Sequence, residues 1–368
     1  MTAGRMVALR WTVPEPRLIR GKVERPLLNR EARLTLNAAQ TERVKRDGSL
    51  DSVQADLDRV YAQVEARTPR DIRFLSAGGS WIGEARTGWA VDRAASAKAV
   101  LAALKDGAAS IPLSITLIAP ARSVRWAAAR SLQHLGSGDS EFTGSPDFRV
   151  HNIRVGAARV HGAWIEPGAT FSFNALVGPI SAATGFQPGY VVTGDTLSTE
   201  DGGGICQVST TVFRAALRAG LPITERHAHS YQVAYYGDPG LDATVYAPAK
   251  DLRWRNDTAA PVLVQAAWTV DSERLTVSVF GRSDGRRVQI AEPVITQRQP
   301  APDPTFVADR TLEKGGARRI DMPAAGLRAR VKRTVTFPDG RQRTDTVDSR
   351  YRAWGGVFAV PPGDDRLR

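Results

Sequence analysis

The chain has 368 residues, too long for one simple hydrophobic core, so we expect two or three domains. Its single cysteine excludes an internal disulfide and any metal site built from several thiolates. The net charge of +12 is spread along the chain and suits anionic partners such as wall polymers or lipid headgroups, but no basic run alternates with aromatic residues, so we expect no nucleic-acid partner.

Residues 1–30 are rich in arginine and proline, and we predict an arm or linker there. Their apolar stretch is too short for a signal peptide. No apolar run approaches the roughly 18–20 residues that a membrane-spanning helix needs. We therefore see no membrane anchor in the sequence, and a cytoplasmic location stays open.

Residues 31–140 are predicted to form an N-terminal domain of mixed α and β structure. Apolar side chains recur at helical spacing over Leu50–Ala66. A second helix is predicted over Ala94–Leu104, because Asp92 is a good N-cap residue just before it. The apolar run of residues 110–118 predicts a buried strand.

A domain boundary is predicted over residues 136–147, where the chain becomes small and polar. The preceding stretch, residues 123–135, has helical spacing, and so does the following stretch, residues 148–162. The Pro-Gly turn at residues 167–168 then leads into a strand.

A central domain at residues 141–282 and a C-terminal β module at residues 283–368 complete the predicted organisation. Residues 206–219 are predicted to be a helix. Strands are predicted at four places, the last two as a hairpin: Thr224–Tyr236, Ala243–Tyr246, Val262–Val270 and Leu275–Phe280. Pro338-Asp339-Gly340 predicts a further hairpin turn in the C-terminal module. The predicted class is α+β, with the 206–219 helix packed on a mainly antiparallel sheet.

The only cysteine, Cys206, comes directly after Gly202-Gly203-Gly204 and Ile205. Glycine permits positive φ and close approach, so this run predicts a strand-to-helix elbow with Cys206 in the first helical turn. Unpaired N–H groups and the helix dipole at that position favour an anion, which lowers the pKa of a thiol. The same N–H groups can stabilise an oxyanion. The pattern indicates a nucleophile, and the alternative is a small buried side chain.

The glycines also permit a second use, as a phosphate cradle. That use needs a lysine shortly after the loop, and ICQVST contains none. We therefore expect no nucleotide and no cofactor.

A nucleophilic cysteine needs a base, and the chain has five histidines. His227 and His229 lie in the alternating segment ERHAHSYQVAYY and face the same side of a strand, so either can meet Cys206. The third group, which orients the imidazole, is predicted to be Asp242, with Asp238 and Asn256 as weaker candidates. Structural or surface roles are expected for the histidines in predicted helices: His134, His151 and His161.

The His-x-His pair also permits a metal site. In that interpretation His227 and His229 bind the metal together with Asp242 or Cys206. The spacing does not match a recognised zinc signature.

Several motifs resemble the VanW domain family: FNALVGP, GGGICQVSTTVFRAALRAGL, ERHAHS and YYGDPGLDATVY. The likeness covers roughly residues 148–282 and includes PGATFSFN and the WRNDT segment. Residues of about 72–135 resemble the peptidoglycan-binding region that precedes this domain in many family members. Relatives usually start with a membrane anchor, so the resemblance implies a cell-envelope location.

The resemblance also singles out residues at recurrent positions of the family. These are Cys206, Gln207, Ser209, His229, Ser230 and Asp242. It makes His227 incidental, so our candidate triad is Cys206–His229–Asp242, in an order and layout that look like those of papain and transglutaminases. Candidate substrate-binding residues within the motifs are Gly202, Gly203, Gly204, Ser209, Thr210, Ser230, Asn174 and Tyr235.

In the leading hypothesis, Cys206 attacks a carbonyl, His229 acts as base and then acid, and Asp242 fixes the imidazole tautomer. Backbone amides at the helix start, with Gln207, hold the oxyanion. The expected function is hydrolysis or transpeptidation of amide bonds in peptidoglycan or its precursors. The alternatives are a non-catalytic module that binds peptidoglycan or its stem peptide, and a metal-dependent hydrolase that uses the His-x-His pair.

Overall fold

The computed structural model describes residues 5–193, 196–233, 236–269 and 273–367, with the backbone alone for 190–193 and 196–200. The chain divides into two compact units, Met1–Leu132 and Gln133–Arg368. Both units combine helices with sheets whose strand pairs are mostly antiparallel, so the predicted α+β class is confirmed. Within the described residues, no helix is both long and apolar enough to span a membrane.

The first unit contains three sheets in its described part, ordered β4-β1-β8, β3-β2-β6-β5 and β7-β9. Its helices are α1 (Ala38–Asp47), α2 (Gln54–Glu65), α3 (Arg93–Lys105) and α4 (Val124–Ala129), with a 3-10 turn at Asp51–Val53. Its strands are β1 (Arg5–Pro14), β2 (Arg17–Ile19), β3 (Lys22–Glu24), β4 (Leu27–Leu36), β5 (Arg70–Ala77), β6 (Ser80–Arg86), β7 (Gly88–Val91), β8 (Ser110–Pro112) and β9 (Ile115–Ile118).

The N-terminal residues are part of a core, so the predicted arm or linker over residues 1–30 is wrong from Arg5 onward. Strands β1 and β4 pair antiparallel over ten residues. Val7 and Leu9 are fully buried, whereas Arg10 between the strand's apolar positions is exposed. The arginines thus lie on the outer face of a strand whose other face is apolar. Composition alone does not distinguish such a strand from a polar linker.

Helices α2 and α3 lie where they were predicted. The carboxylate of Asp92 accepts a hydrogen bond from the Ala95 N–H at 3.0 Å, which caps α3 as expected. The predicted strand at residues 110–118 is instead two strands, because β8 pairs with β1 and β9 pairs with β7.

The predicted domain boundary at residues 136–147 is wrong, because most of this segment is strand β10 (Leu132–Glu141), which lies next to strand β18 (Arg274–Arg282). The predicted helix at residues 123–135 ends at Ala129. The small residues have a packing reason. A Cβ on Gly138 would lie 2.2 Å from the Thr211 carbonyl oxygen, so only glycine permits this close approach.

The second unit carries three helices in its described part, α5 (Asp147–Val160), α6 (Phe173–Val177) and α7 (Ile205–Arg218). Besides β10, its strands are β11 (Ala163–Ile165), β12 (Thr170–Ser172), β13 (Pro188–Thr193), β14 (Thr196–Asp201), β15 (Ile223–Glu225), β16 (Arg253–Arg255), β17 (Val262–Thr269), β18 (Arg274–Arg282), β19 (Arg287–Ile290), β20 (Val294–Gln299), β21 (Thr305–Ala308), β22 (Arg318–Asp321), β23 (Gly326–Thr336), β24 (Gln342–Tyr351) and β25 (Val357–Val360). Single 3-10 turns lie at Ala182–Thr184 and Asp365–Leu367. The sheets are ordered β10-β18-β17-β11, β12-β16-β15, β13-β14, β19-β23-β20 with β24 on β23, and β21-β25-β22.

Helix α7 lies at the centre of the second unit's core. Val208, Val212 and Phe213 are fully buried in the same apolar cluster as Val277 and Val279 of β18. Helix α5 packs closely against the start of α7. A Cβ on Gly156 would lie 2.3 Å from Ile205 Cδ1. The first turn of α7 is therefore held in place by packing as well as by its own backbone.

The predicted hairpin of β17 and β18 is confirmed, but two other predicted strands are not formed as expected. In the part of Thr224–Tyr236 that the structure describes, regular pairing is limited to the end of β15 and an isolated bridge from His227 to Thr244. The segment Ala243–Tyr246 is likewise limited to bridges. Side-chain hydrogen bonds replace a regular ladder, since the Asp242 carboxylate accepts the backbone N–H of His229 at 2.9 Å.

The C-terminal hairpin of β23 and β24 is confirmed around Pro338-Asp339-Gly340. Residues 283–368 belong to the same compact unit as the central domain. Arg333 of β23 is 1% exposed and donates to the carbonyls of Leu217 and Leu221, at 3.1 and 2.9 Å. It therefore supplies a charged donor at the C-terminal end of α7, where the Leu217 carbonyl also accepts the Gly220 N–H.

Candidate active site

The three glycines form the predicted elbow between β14 and α7. Gly202 has φ of 91° and Gly204 has φ of 108°, both in the region that favours glycine. Helix α7 begins at Ile205, so Cys206 lies in its first turn as predicted. The Asn152 side chain also donates to the Gly203 carbonyl at 3.1 Å, which ties the elbow to α5.

Replacing Gly202 with alanine should lower the free energy of unfolding by about 2–4 kcal/mol, because it adds a clash to an unfavourable φ. The new Cβ would lie 2.3 Å from Ile180 Cγ2. Gly168→Ala is the matched control, since Gly168 has φ of 79° and open space around its Cβ position. Urea denaturation should give a loss of only about 1 kcal/mol there, from backbone strain alone. Equal losses in the two variants would contradict the packing role of Gly202.

The thiol of Cys206 is partly exposed and lies beside the segment that follows Asp242. Its Sγ is 3.4 Å from Thr244 Oγ1 and 3.6 Å from the Val245 carbonyl oxygen. Burial raises the pKa of this thiol, but the hydrogen bond and positive charge of His229, helped by Thr244, outweigh burial. The net pKa of Cys206 lies below its ordinary value.

The imidazole of His229 is held by Asp242. Its Nδ1 lies 2.5 Å from Asp242 Oδ2, which leaves Nε2 to serve the thiol. The ring also lies 5.3 Å from that of Tyr236, centroid to centroid. Burial lowers the pKa of His229, yet its interactions with Asp242 and Cys206 outweigh burial and raise the pKa to about 9.

The carboxylate of Asp242 is 5% exposed and accepts hydrogen bonds at both oxygens. Oδ2 faces His229, and Oδ1 accepts from Arg226 Nη2 at 2.8 Å and from the Tyr351 hydroxyl at 2.5 Å. Burial alone raises the pKa of this carboxyl, but the hydrogen bond and charge of His229 and the charge of Arg226 hold it far below its usual range. Asp242 is therefore ionised at neutral pH.

Sequence reasoning did not find Arg226, Thr244 or Tyr351. Arg226 lies within the ERHAHS motif and Thr244 within LDATVY, so proximity in sequence is a usable signal for both. Tyr351 is 109 residues from Asp242, and no local pattern connects them.

The structure does not bring His227 to the thiol. Its Nε2 lies 3.0 Å from Glu225 Oε1, and its backbone carbonyl accepts the Thr244 N–H. Of the two weaker candidates for the third group, Asp238 is exposed, and the Asn256 amide donates to backbone carbonyls in the core. Among the residues that the structure describes, no group of three or more His, Cys, Asp or Glu side chains is arranged to hold a metal ion.

Three predicted site residues are fully buried on α7 and serve packing. The Gln207 amide donates to Ser140 Oγ and the Glu141 carbonyl, at 3.1 and 2.8 Å, so its hydrogens are not available for an oxyanion. The hydroxyls of Ser209 and Thr210 both donate to the Ala243 carbonyl, at 2.6 and 3.2 Å. Ser209 and Thr210 therefore fix the Asp242–Thr244 segment against α7 and do not face a substrate.

The remaining predicted binding residues lie in different surroundings. Ser230 is partly exposed next to His229, and its carbonyl accepts the Arg352 N–H at 2.7 Å. Asn174 donates to the Lys250 carbonyl and belongs to the start of α6. Tyr235 lies outside the described residues.

A partly exposed thiol at a helix N-terminus, a histidine with a raised pKa and a buried carboxylate define a thiol–imidazole–carboxylate site in an α+β domain. Residues 148–280, which hold all three groups, match the family model described as VanW like protein. This part of the chain is therefore a VanW-like domain, as the motifs predicted. The match begins after residues 72–135, so the peptidoglycan-binding resemblance of that stretch stays a prediction.

Two curated proteins are similar in sequence to part of this chain. An uncharacterized protein, YoaR of Bacillus subtilis, is 40% identical over 136 residues, or 37% of this chain and 45% of its own length. The vancomycin B-type resistance protein VanW of Enterococcus faecalis is 34% identical over 138 residues, or 36% of this chain and 49% of its own length. The match thus spans about half the length of each relative.

Proposed function

We propose that this is a cell-envelope protein whose VanW-like domain carries out acyl transfer with Cys206 as the nucleophile. The observation that carries the proposal is the set of contacts at one helix start, where the Cys206 thiol interacts with an imidazole held by Asp242 at 2.5 Å. These are the parts that a cysteine hydrolase or transpeptidase of the papain kind requires.

The pKa directions support a thiolate–imidazolium pair. The pKa of Cys206 is lowered and that of His229 is raised to about 9. Thiolate and imidazolium therefore coexist between the lowered thiol pKa and about pH 9. This state combines a nucleophile with a proton donor for the leaving group.

The reaction has two steps. Cys206 Sγ attacks the carbonyl carbon of an amide, and His229 Nε2 gives its proton to the departing amine nitrogen as the C–N bond breaks. The product is a thioester on Cys206. Water or an acceptor amine then attacks the thioester, His229 takes the proton of that nucleophile, and the thiolate leaves.

The oxyanion is assigned to backbone N–H groups of the first turn of α7. The N–H groups of Ile205 and Gln207 already donate to the carbonyls of Gly202 and Gly204, both at 3.0 Å. The N–H of Cys206 itself is therefore the proposed donor. Gln207 takes no part in this step, because its side-chain amide donates to Ser140 and Glu141 of β10.

The proposed substrates are amide bonds of peptidoglycan or its precursors. One relative is named for vancomycin resistance, and this name supports a substrate in the cell wall. The net charge of +12 suits an anionic polymer surface.

A pH profile of Cys206 alkylation by iodoacetamide, followed by intact mass, tests the nucleophile. An ordinary thiol has a pKa of about 8.5, so only a few per cent is thiolate at pH 7. Wild-type protein should instead reach half its maximal rate at a pH below this ordinary value, because the pKa of Cys206 is lowered. In the His229→Ala variant the rate at pH 7 should fall roughly 10- to 100-fold, and the midpoint should rise to about 8.5 or above.

His227→Ala is the matched control, because this histidine lies two residues away and pairs with Glu225. It should keep the wild-type profile. A second arm incubates wild-type and Cys206→Ser protein with purified peptidoglycan fragments and looks for a thioester on Cys206. Slow alkylation with an ordinary midpoint in the wild type would overturn catalysis and favour a non-catalytic binding module.

A further inference from the structure

We propose that Tyr351 is a positioning residue for Asp242, so that the reaction centre includes the β23–β24 hairpin, outside the VanW-like region. This inference rests on the proposed function. The family match ends at residue 280, whereas Tyr351 is the last residue of β24.

The Tyr351 hydroxyl holds one oxygen of the acid. It donates to Asp242 Oδ1 at 2.5 Å and accepts the Gly240 N–H at 2.8 Å. The other carboxylate oxygen, Oδ2, faces His229 Nδ1. Fixing Oδ1 therefore fixes the rotation of the carboxylate that orients the imidazole.

A second residue of β24 reaches the same cluster through Arg226. Ser349 Oγ accepts from Arg226 Nη1 at 2.7 Å, and Arg226 Nη2 donates to Asp242 Oδ1 at 2.8 Å. Ser349 and Tyr351 are two apart on one strand and share a face. Both are nearly fully buried, at 1% and 4% exposure.

Charged and titratable groups face Asp242 from several elements. His229 and Arg226 come from the segment after β15, Tyr351 comes from β24, and Arg214 of α7 adds positive charge. Of these, Tyr351 is a neutral donor, because burial and the nearby carboxylate raise its pKa well above the ordinary value. It can therefore hold the carboxylate by a hydrogen bond without placing a further positive charge beside His229.

Replacing Tyr351 with phenylalanine removes the hydroxyl and keeps the ring against Leu327 and Ala329. The freed carboxylate should hold the imidazolium less well. We expect the alkylation rate of Cys206 at pH 7 to fall roughly tenfold, with the midpoint of the pH profile moved upward. Ser349→Ala should move the midpoint in the same direction by a smaller amount, and it serves as the second variant if Tyr351→Phe does not fold.

Tyr231→Phe is the matched control, since the Tyr231 hydroxyl also donates to a carboxylate, that of Asp321, at 2.8 Å. It should leave the profile unchanged, because a merely structural loss does not move a thiol pKa. A wild-type midpoint below the ordinary value of about 8.5, with an unchanged or lowered midpoint in Tyr351→Phe, would overturn this inference alone. An ordinary thiol in the wild type would overturn the proposed function, and this inference with it.

Discussion

Replacing Asp242 with asparagine should lower the free energy of unfolding of the second unit by about 3–5 kcal/mol, because it leaves a buried guanidinium without its counter-charge. The side chains of Arg226 and Asp242 are each 6% exposed and lie 2.8 Å apart. The guanidinium keeps its hydrogen bonds to the Asp242 carbonyl and to Ser349 Oγ. Neither of these partners carries a negative charge.

Hydrogen exchange of α7 amides in wild type and variant measures this loss. Helix α2 of the first unit provides an internal reference whose exchange should not change. Asp238→Asn is the control, since Asp238 is exposed and its replacement should cost no more than about 0.5 kcal/mol. Equal protection of α7 in the two variants would show that the Arg226–Asp242 pair contributes nothing to stability.

The effect of Asp242→Asn should also depend on pH. The pKa of Asp242 is depressed in the folded protein, so its charge stabilises the fold above the unfolded pKa of about 3.9. The difference between wild type and variant should be complete at pH 7 and shrink as the pH falls below about 4. A difference that stays constant down to pH 2 would contradict an ionic origin.

Replacing Arg333 with methionine should lower the free energy of unfolding by about 2–4 kcal/mol, because it removes a buried charged donor from two backbone carbonyls at and just after the end of α7. Two backbone carbonyls, of Leu217 and Leu221, lose a buried charged partner. Asp345, at 2.6 Å, also loses its partner, but its side chain is 38% exposed and can be hydrated. The main cost therefore comes from the carbonyls.

Arg330→Met is the control on the same strand. The Arg330 side chain is 52% exposed and its ion pair with Asp348 is 3.3 Å long, so its loss should cost at most about 1 kcal/mol. Hydrogen exchange should show faster opening of the last turn of α7 only in Arg333→Met. If both variants behave alike, the hairpin does not stabilise the helix that carries Cys206.

Local features of this chain were readable from its sequence because their causes are local. The glycines before Cys206 require positive φ, and the apolar spacing of α2 and α7 requires a helix. The Asp92 cap and the β23–β24 turn also depend on a few neighbouring residues. The order of Cys206, His229 and Asp242 was predicted because these residue types are rare and chemically specific.

Contacts between residues that are far apart in the sequence could not be predicted in this way. Polar side chains on α7 looked suited to a substrate, but Gln207, Ser209 and Thr210 are buried because β10 and the Asp242–Thr244 segment supply their hydrogen-bond partners. The small residues of β10 looked like a domain boundary, whereas Gly138 is small because α7 passes close to it. Composition describes such a residue but does not show what lies against it.

By itself, the sequence determined the elbow, the helix that presents Cys206, and the three groups of the candidate site, since backbone preference and side-chain chemistry are properties of short segments. Only the tertiary structure decided which groups set the charge around Asp242. Arg226 and Tyr351 reach the same carboxylate oxygen from segments far apart in the chain. Electrostatic interactions depend on distance in space, and they are stronger in the low-dielectric interior of a protein. The two buried contacts therefore affect the pKa of Asp242 in a way that its neighbours in sequence do not reveal.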